Sequence, residues 1–105
     1  MVDKIKQTFF EKFDGLFRET NPQWKEVFGI FQWLGHEASC ARRFEHLAVI
    51  DDLRRDTESH FSRFKDMRRK VEKSSQKVNE AIKKRDEHLS CLLYTSPSPR
   101  DRTRS

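Results

Sequence analysis

The sequence predicts an all-α fold: two short N-terminal helices, then one long amphipathic, coiled-coil-like helix, then a C-terminal tail without ordered structure. Three observations predict it. Apolar residues recur every three to four positions from Val2 to Leu34, residues 37–89 contain neither Pro nor Gly, and the apolar residues of that second stretch fall on a seven-residue repeat. All three are helical spacings, distinct from the two-residue alternation of strands.

For the first helix, Val2, Ile5, Phe9, Phe13 and Leu16, with Phe10 and Phe17 beside them, place a bulky apolar stripe on one face. Asn21-Pro22 ends it. Asn caps helix N-termini and Pro fits the first helical position, so a second helix is expected to start there and carry Trp24, Val27, Phe28, Phe31 and Leu34. Gly35 is its expected stop. Residues 1–35 thus read as an aromatic-rich two-helix segment.

Residues 36–90 read as the long basic helix. Arg, Lys, Glu, Ala and Leu predominate from Glu37 to Leu89, giving a rod on the order of 80 Å at ~1.5 Å per residue. A shorter pair broken near Asp51 to Asp56 is the alternative. Asp51 with Arg55, Asp66 with Lys70 and Glu80 with Lys84 have the i,i+4 spacing that supports an exposed helix. One seam position of the heptad takes Leu47, Arg54, Phe61, Arg68, Ser75, Ile82 and Leu89, and the other takes Ile50, Thr57, Phe64, Val71, Val78 and Arg85. Leu53, Met67 and Ala81 widen the stripe, which favours bundle packing over a two-stranded coil. A helix of this length must bury its stripe against the first two helices, a second copy or a further segment. Phe61, Phe64, Val71, Val78 and Ile82 form the most regular apolar run and are the expected partner-binding stripe. Seven of nine Phe and both Trp fall within the first 44 residues, so the first two helices are expected to pack near Phe44, Leu47 and Ile50, leaving the half beyond Met67 to project as an arm.

The tail is set apart by its sequence. Cys91-Leu92-Leu93-Tyr94-Thr95-Ser96-Pro97-Ser98-Pro99-Arg100-Asp101 agrees in a single reading frame with a string that resembles the mosaic-end adapter of transposon-based sequencing libraries. The resemblance implies that the natural reading ends at about Ser90 and that residues 91–105 are a non-native, disordered appendage, best kept out of fold reasoning. What precedes it reads as a fragment of a larger protein, with Met1 either a true start or an internal methionine.

Without the tail the charge falls from +5 to +3, and it is unevenly spread: residues 1–60 carry 9 Lys and Arg against 11 Asp and Glu, residues 61–90 carry 10 against 5. A chain of this size with 37% charged residues buries only a limited core. Cys40 is then a lone thiol, which points to a reducing, cytoplasmic location. No apolar run approaches the ~20 residues that span a bilayer. His36 and Cys40 have helical ligand spacing, but no paired Cys/His motif supplies the remaining ligands of a zinc site. His46, His60 and His88 share a heptad position beside the seam and read as ordinary flanking residues. There is no phosphate loop, nucleophile elbow or HExxH pattern, and Asp51 and Asp52 diverge on a helix, so the expected function is non-enzymatic, without cofactor or metal.

Two basic clusters remain. Arg68-Arg69-Lys70 and Lys83-Lys84-Arg85 are similar to a bipartite nuclear-import signal, and Arg68, Arg69, Lys83 and Lys84 are candidate contacts for an anionic surface. Interspersed acids, and aromatics that lie far upstream, argue against nucleic acid as the partner. An amphipathic helix followed by a long basic helix resembles the layout of BAR-type membrane-remodelling proteins, including some sorting nexins, over residues 2–90. That resemblance implies a basic face meeting lipid headgroups and an apolar stripe forming a dimeric bundle; it rests on layout and assigns no residue. The leading expectation is a helical protein–protein interaction module that self-associates or binds a partner helix through its stripe. A membrane-surface module and a nucleic-acid-binding helix are the alternatives.

Overall fold

The computed structural model describes the backbone of residues 2–93 and the side chains of residues 4–90; the tail from residue 94 lies outside the described residues. Among the described residues there are four α-helices and no strand: α1 (Val2–Phe17), α2 (Trp24–Cys40), α3 (Phe44–Phe61) and α4 (Arg68–Leu93), with one 3₁₀ turn at Lys65–Met67. The all-α class holds. The single long helix does not.

In α1 the predicted stripe turns inward. Phe9 and Leu16 are buried, and the Phe9 ring meets Phe13, Phe17 and Trp33 at centroid distances of 5.4, 5.5 and 5.9 Å. The helix closes on two tight bonds, Arg18 N–H to the Gly15 carbonyl and Glu19 N–H to that of Leu16, the usual way a last turn satisfies its carbonyls.

α2 begins later than Asn21-Pro22 suggests. Gln23 is the N-cap, with extended backbone, and its N–H donates to the Glu26 carboxylate at 3.4 Å. That is the reciprocal half of a capping box, which the sequence spells with Gln where Ser or Thr is customary. Pro22 sits just before the cap and Val27 four residues beyond it, both buried, at the two positions of a hydrophobic staple. Gly35 does not stop the helix. α2 continues to Cys40 with open space beside the glycine, so the two-helix segment extends past residue 35. A glycine inside a helix costs about 1 kcal/mol relative to Ala, which the fully buried Ile30, Leu34 and Ala38 of the same helix outweigh.

The chain then breaks twice where the sequence shows no Gly or Pro. At Ala41 the backbone becomes extended (φ −64°, ψ 140°), as does Arg43 (φ −137°, ψ 146°). The Ala41 carbonyl freed there accepts a 3.2 Å bond from Arg85 Nε near the far end of α4. The second break, residues 62–67, comes after the Asp51–Asp56 alternative, which is unbroken helix. It folds α4 back along α3 and α2, so the segment beyond Met67 packs against them and does not project. Helix propensity decides little here: interrupting a few residues forfeits a few tenths of a kcal/mol each. Burying Phe61, Val71 or Val78 yields roughly 1.5–3 kcal/mol apiece, and one uninterrupted rod would leave its stripe uncovered. α1 lies chiefly against α3, away from α4. The backbone of α4 runs on through Leu93, so the first three residues of the expected disordered appendage are helical; the remainder of that expectation falls outside the described residues.

Candidate interaction surface

Of the thirteen heptad positions from Leu47 to Leu89, twelve are buried or partly buried, and only Arg68, at the start of α4, is exposed. The heptad positions thus lie on the inward faces of α3 and α4. Phe61 and Val71 are 0% exposed, Val78 3% and Ile82 8%, while Phe64 is partly buried against the core. In this structure the stripe is covered by the chain's own α2 and α3.

The polar seam positions, unremarkable in the sequence, have specific partners. Arg54 donates from Nη1 to Ser75 Oγ at 2.7 Å across the α3–α4 seam, and from Nε and Nη2 to Asp51 at 3.0 and 2.8 Å. Thr57, fully buried, donates its hydroxyl to the Leu53 carbonyl at 2.7 Å. Such bonds remove the penalty of burying polar groups, and the one from Arg54 to Ser75 ties α3 to α4. The clue in the sequence was the coincidence of Arg54 and Ser75 at one heptad position, but spacing alone does not reveal that the two meet.

Among the charged pairs expected along the helices, Asp51 and Arg55 come together at 3.4 Å. Lys70 instead places its ammonium 5.8 Å from the centre of the Trp24 ring. Arg68, Arg69, Lys83 and Lys84 are all exposed on α4. Arg69 and Lys83, two heptads apart, share an outward face with Glu72, Glu80 and Glu87, whereas Arg68 and Lys84 fall toward opposite flanks. The four do not form one uniform basic patch.

Several recesses border the described helices, and two bear on the candidate residues. One, of about 270 Å³, lies between α2 and α4, with Phe28, Phe31 and Val78 on its floor and Lys77 at its edge. The other, of about 390 Å³, lies between α1, α2 and the start of α3 and includes Lys4, Trp33, Glu37, Cys40 and His46. The Nε2 of His46 is buried without a hydrogen-bond partner. Cys40 Sγ is exposed and stands 3.7 Å from His36 Nε2. Among the described residues no group of three or more His, Cys, Asp or Glu side chains comes together as a metal site would require. His60 packs between Phe17 and Phe61, at 5.1 and 4.9 Å, so it does not gather with His46 and His88. No described helix is long and apolar enough to cross a membrane. No protein-family model, curated protein or solved structure matches the chain.

Proposed function

We propose that the chain is a non-enzymatic helical interaction module in which a helix of a second copy or of a partner protein takes the place of one of the chain's own helices on the stripe carrying Phe61, Phe64, Val71, Val78 and Ile82, which within one chain is buried. The observation that carries this reading is the heptad seam itself, which stays buried in one register along both α3 and α4. A surface that grips two helices of its own chain has the shape and chemistry to grip those of another. Sedimentation equilibrium of the chain from micromolar to millimolar concentration tests it. Reversible, concentration-dependent dimers are expected, and a lone monomer throughout would remove the self-association on which the reading leans.

A second reading, contact with an anionic membrane surface, is favoured by the exposure of Arg68, Arg69, Lys83 and Lys84. It is weakened by α1, whose Phe9 and Leu16 are turned into the core and which leaves Phe10, 51% exposed, as its one large apolar side chain in solvent among those described. Flotation with phosphatidylserine vesicles should leave the chain at the bottom of the gradient. Flotation that disappears when those four residues are changed to Glu would favour the membrane instead.

A further inference from the structure

We propose that residues 62–67 are a hinge through which two copies of the chain exchange α4, each copy laying its α4 on the α2 and α3 of the other in the antiparallel arrangement seen within one chain. The proposal deepens the interaction reading and rests on it. Three observations carry it.

The seam does not lose phase at the turn. Phe61 before it, Phe64 within it, and Arg68 and Val71 after it fall on successive heptad sites, although a helical hairpin has no need of a common register between its arms. A straightened segment from Phe44 to Leu93 would present one in-phase, mainly apolar stripe, interrupted by Arg68 at the hinge, on a rod of roughly 75 Å at ~1.5 Å per residue.

The turn contains nothing that forbids a helix. It has no Gly and no Pro, and no described residue of the chain has positive φ. Ser62 (φ −69°, ψ −10°) and Arg68 (φ −47°, ψ −54°) already lie in the helical region, while Phe64 is extended (φ −88°, ψ 115°). Of these three residues, Phe64 alone must change region on straightening, by rotation about its ψ. Exchange of this kind reuses an interface that already exists, so it adds little cost beyond the hinge.

The polar contacts select this arrangement over a parallel coil. Arg54 to Ser75 and Arg85 to the Ala41 carbonyl both bridge α4 to other helices, and both re-form between chains when α4 is exchanged. Two parallel rods would set Arg54 against Arg54 and Arg85 against Arg85 at the seam, without those partners.

The test is Lys65→Pro in the full chain. Lys65 is exposed and opens the 3₁₀ turn, and the extended backbone of Phe64 is what a following proline requires. The hairpin therefore accepts the proline. A continuous helix does not, because the ring meets the carbonyl one turn back and a helical bond is lost. After refolding at high concentration the parent chain should give dimer and monomer by light scattering, whereas Lys65→Pro should give monomer, its association weakened at least about a hundredfold with circular dichroism unchanged. The double variant Ser62→Ala and Asp66→Ala removes the Ser62 hydroxyl bond to the Ser59 carbonyl and raises helix propensity, so it should tighten association by about tenfold. Equal dimer in parent and Lys65→Pro would overturn the exchange while leaving self-association standing. Monomer alone in the parent and in the double variant would overturn both. Should Lys65→Pro fail to fold, unchanged association in the double variant overturns the exchange.

Discussion

Val71→Asp is expected to unfold the chain at neutral pH, beyond any effect on association. Val71 is fully buried where α4 meets α2 and α3. Asp there loses the valine's transfer energy and confines a carboxylate without a counter-ion, a combination that costs at least about 4 kcal/mol. A domain of this size has roughly 5–15 kcal/mol in total, so the far-ultraviolet circular dichroism should lose most of its helical signal. Val71→Ile should keep it. The same substitution read from the sequence alone, on a stripe awaiting an outside partner, would have left a folded helix and merely separated the chains.

Phe61→Ala is expected to be the most damaging truncation to a small side chain. The ring is fully buried at the end of α3 and meets Phe17 at 5.2 Å, His60 at 4.9 Å and Phe64 at 6.3 Å, so its removal opens a cavity shared by α1, α3 and the turn. Loss of a buried Phe typically costs about 3–5 kcal/mol. The urea midpoint should fall steeply with little change in slope. Phe10→Ala, at the one large exposed apolar residue among those described, should move it by less than about 0.5 kcal/mol. Equal effects at the two positions would contradict the packing around Phe61.

Much of the inner face of each helix was legible in the sequence, because burial follows the 3.6-residue period that Phe9, Leu34, Ile50 and Val78 mark out, although buried Ile30, Ala38 and Val49 were not among the residues it picked out. Where the helices end was not. Local signals at Asn21-Pro22 and Gly35 were plausible and lost to context: Gln23 with Glu26 caps α2, and Gly35 is carried through by the buried face around it. The breaks at Ala41 and Ser62 have no local signal, since what rewards them is contact with residues far along the chain. For the same reason the stripe was identified residue by residue and its covering was not. A heptad specifies that a helix will be met, and leaves open whose helix meets it.

The bond from Arg85 to the Ala41 carbonyl sets an order of events during synthesis. The corner between α2 and α3 lacks its clasp until Arg85 has left the ribosome, and until then Val27, Ile30, Phe31 and Leu34 have no α4 to lie against. A nascent chain halted before Arg85 therefore exposes a greasy surface to its neighbours, and α4 acts as the latch that ends that vulnerable interval.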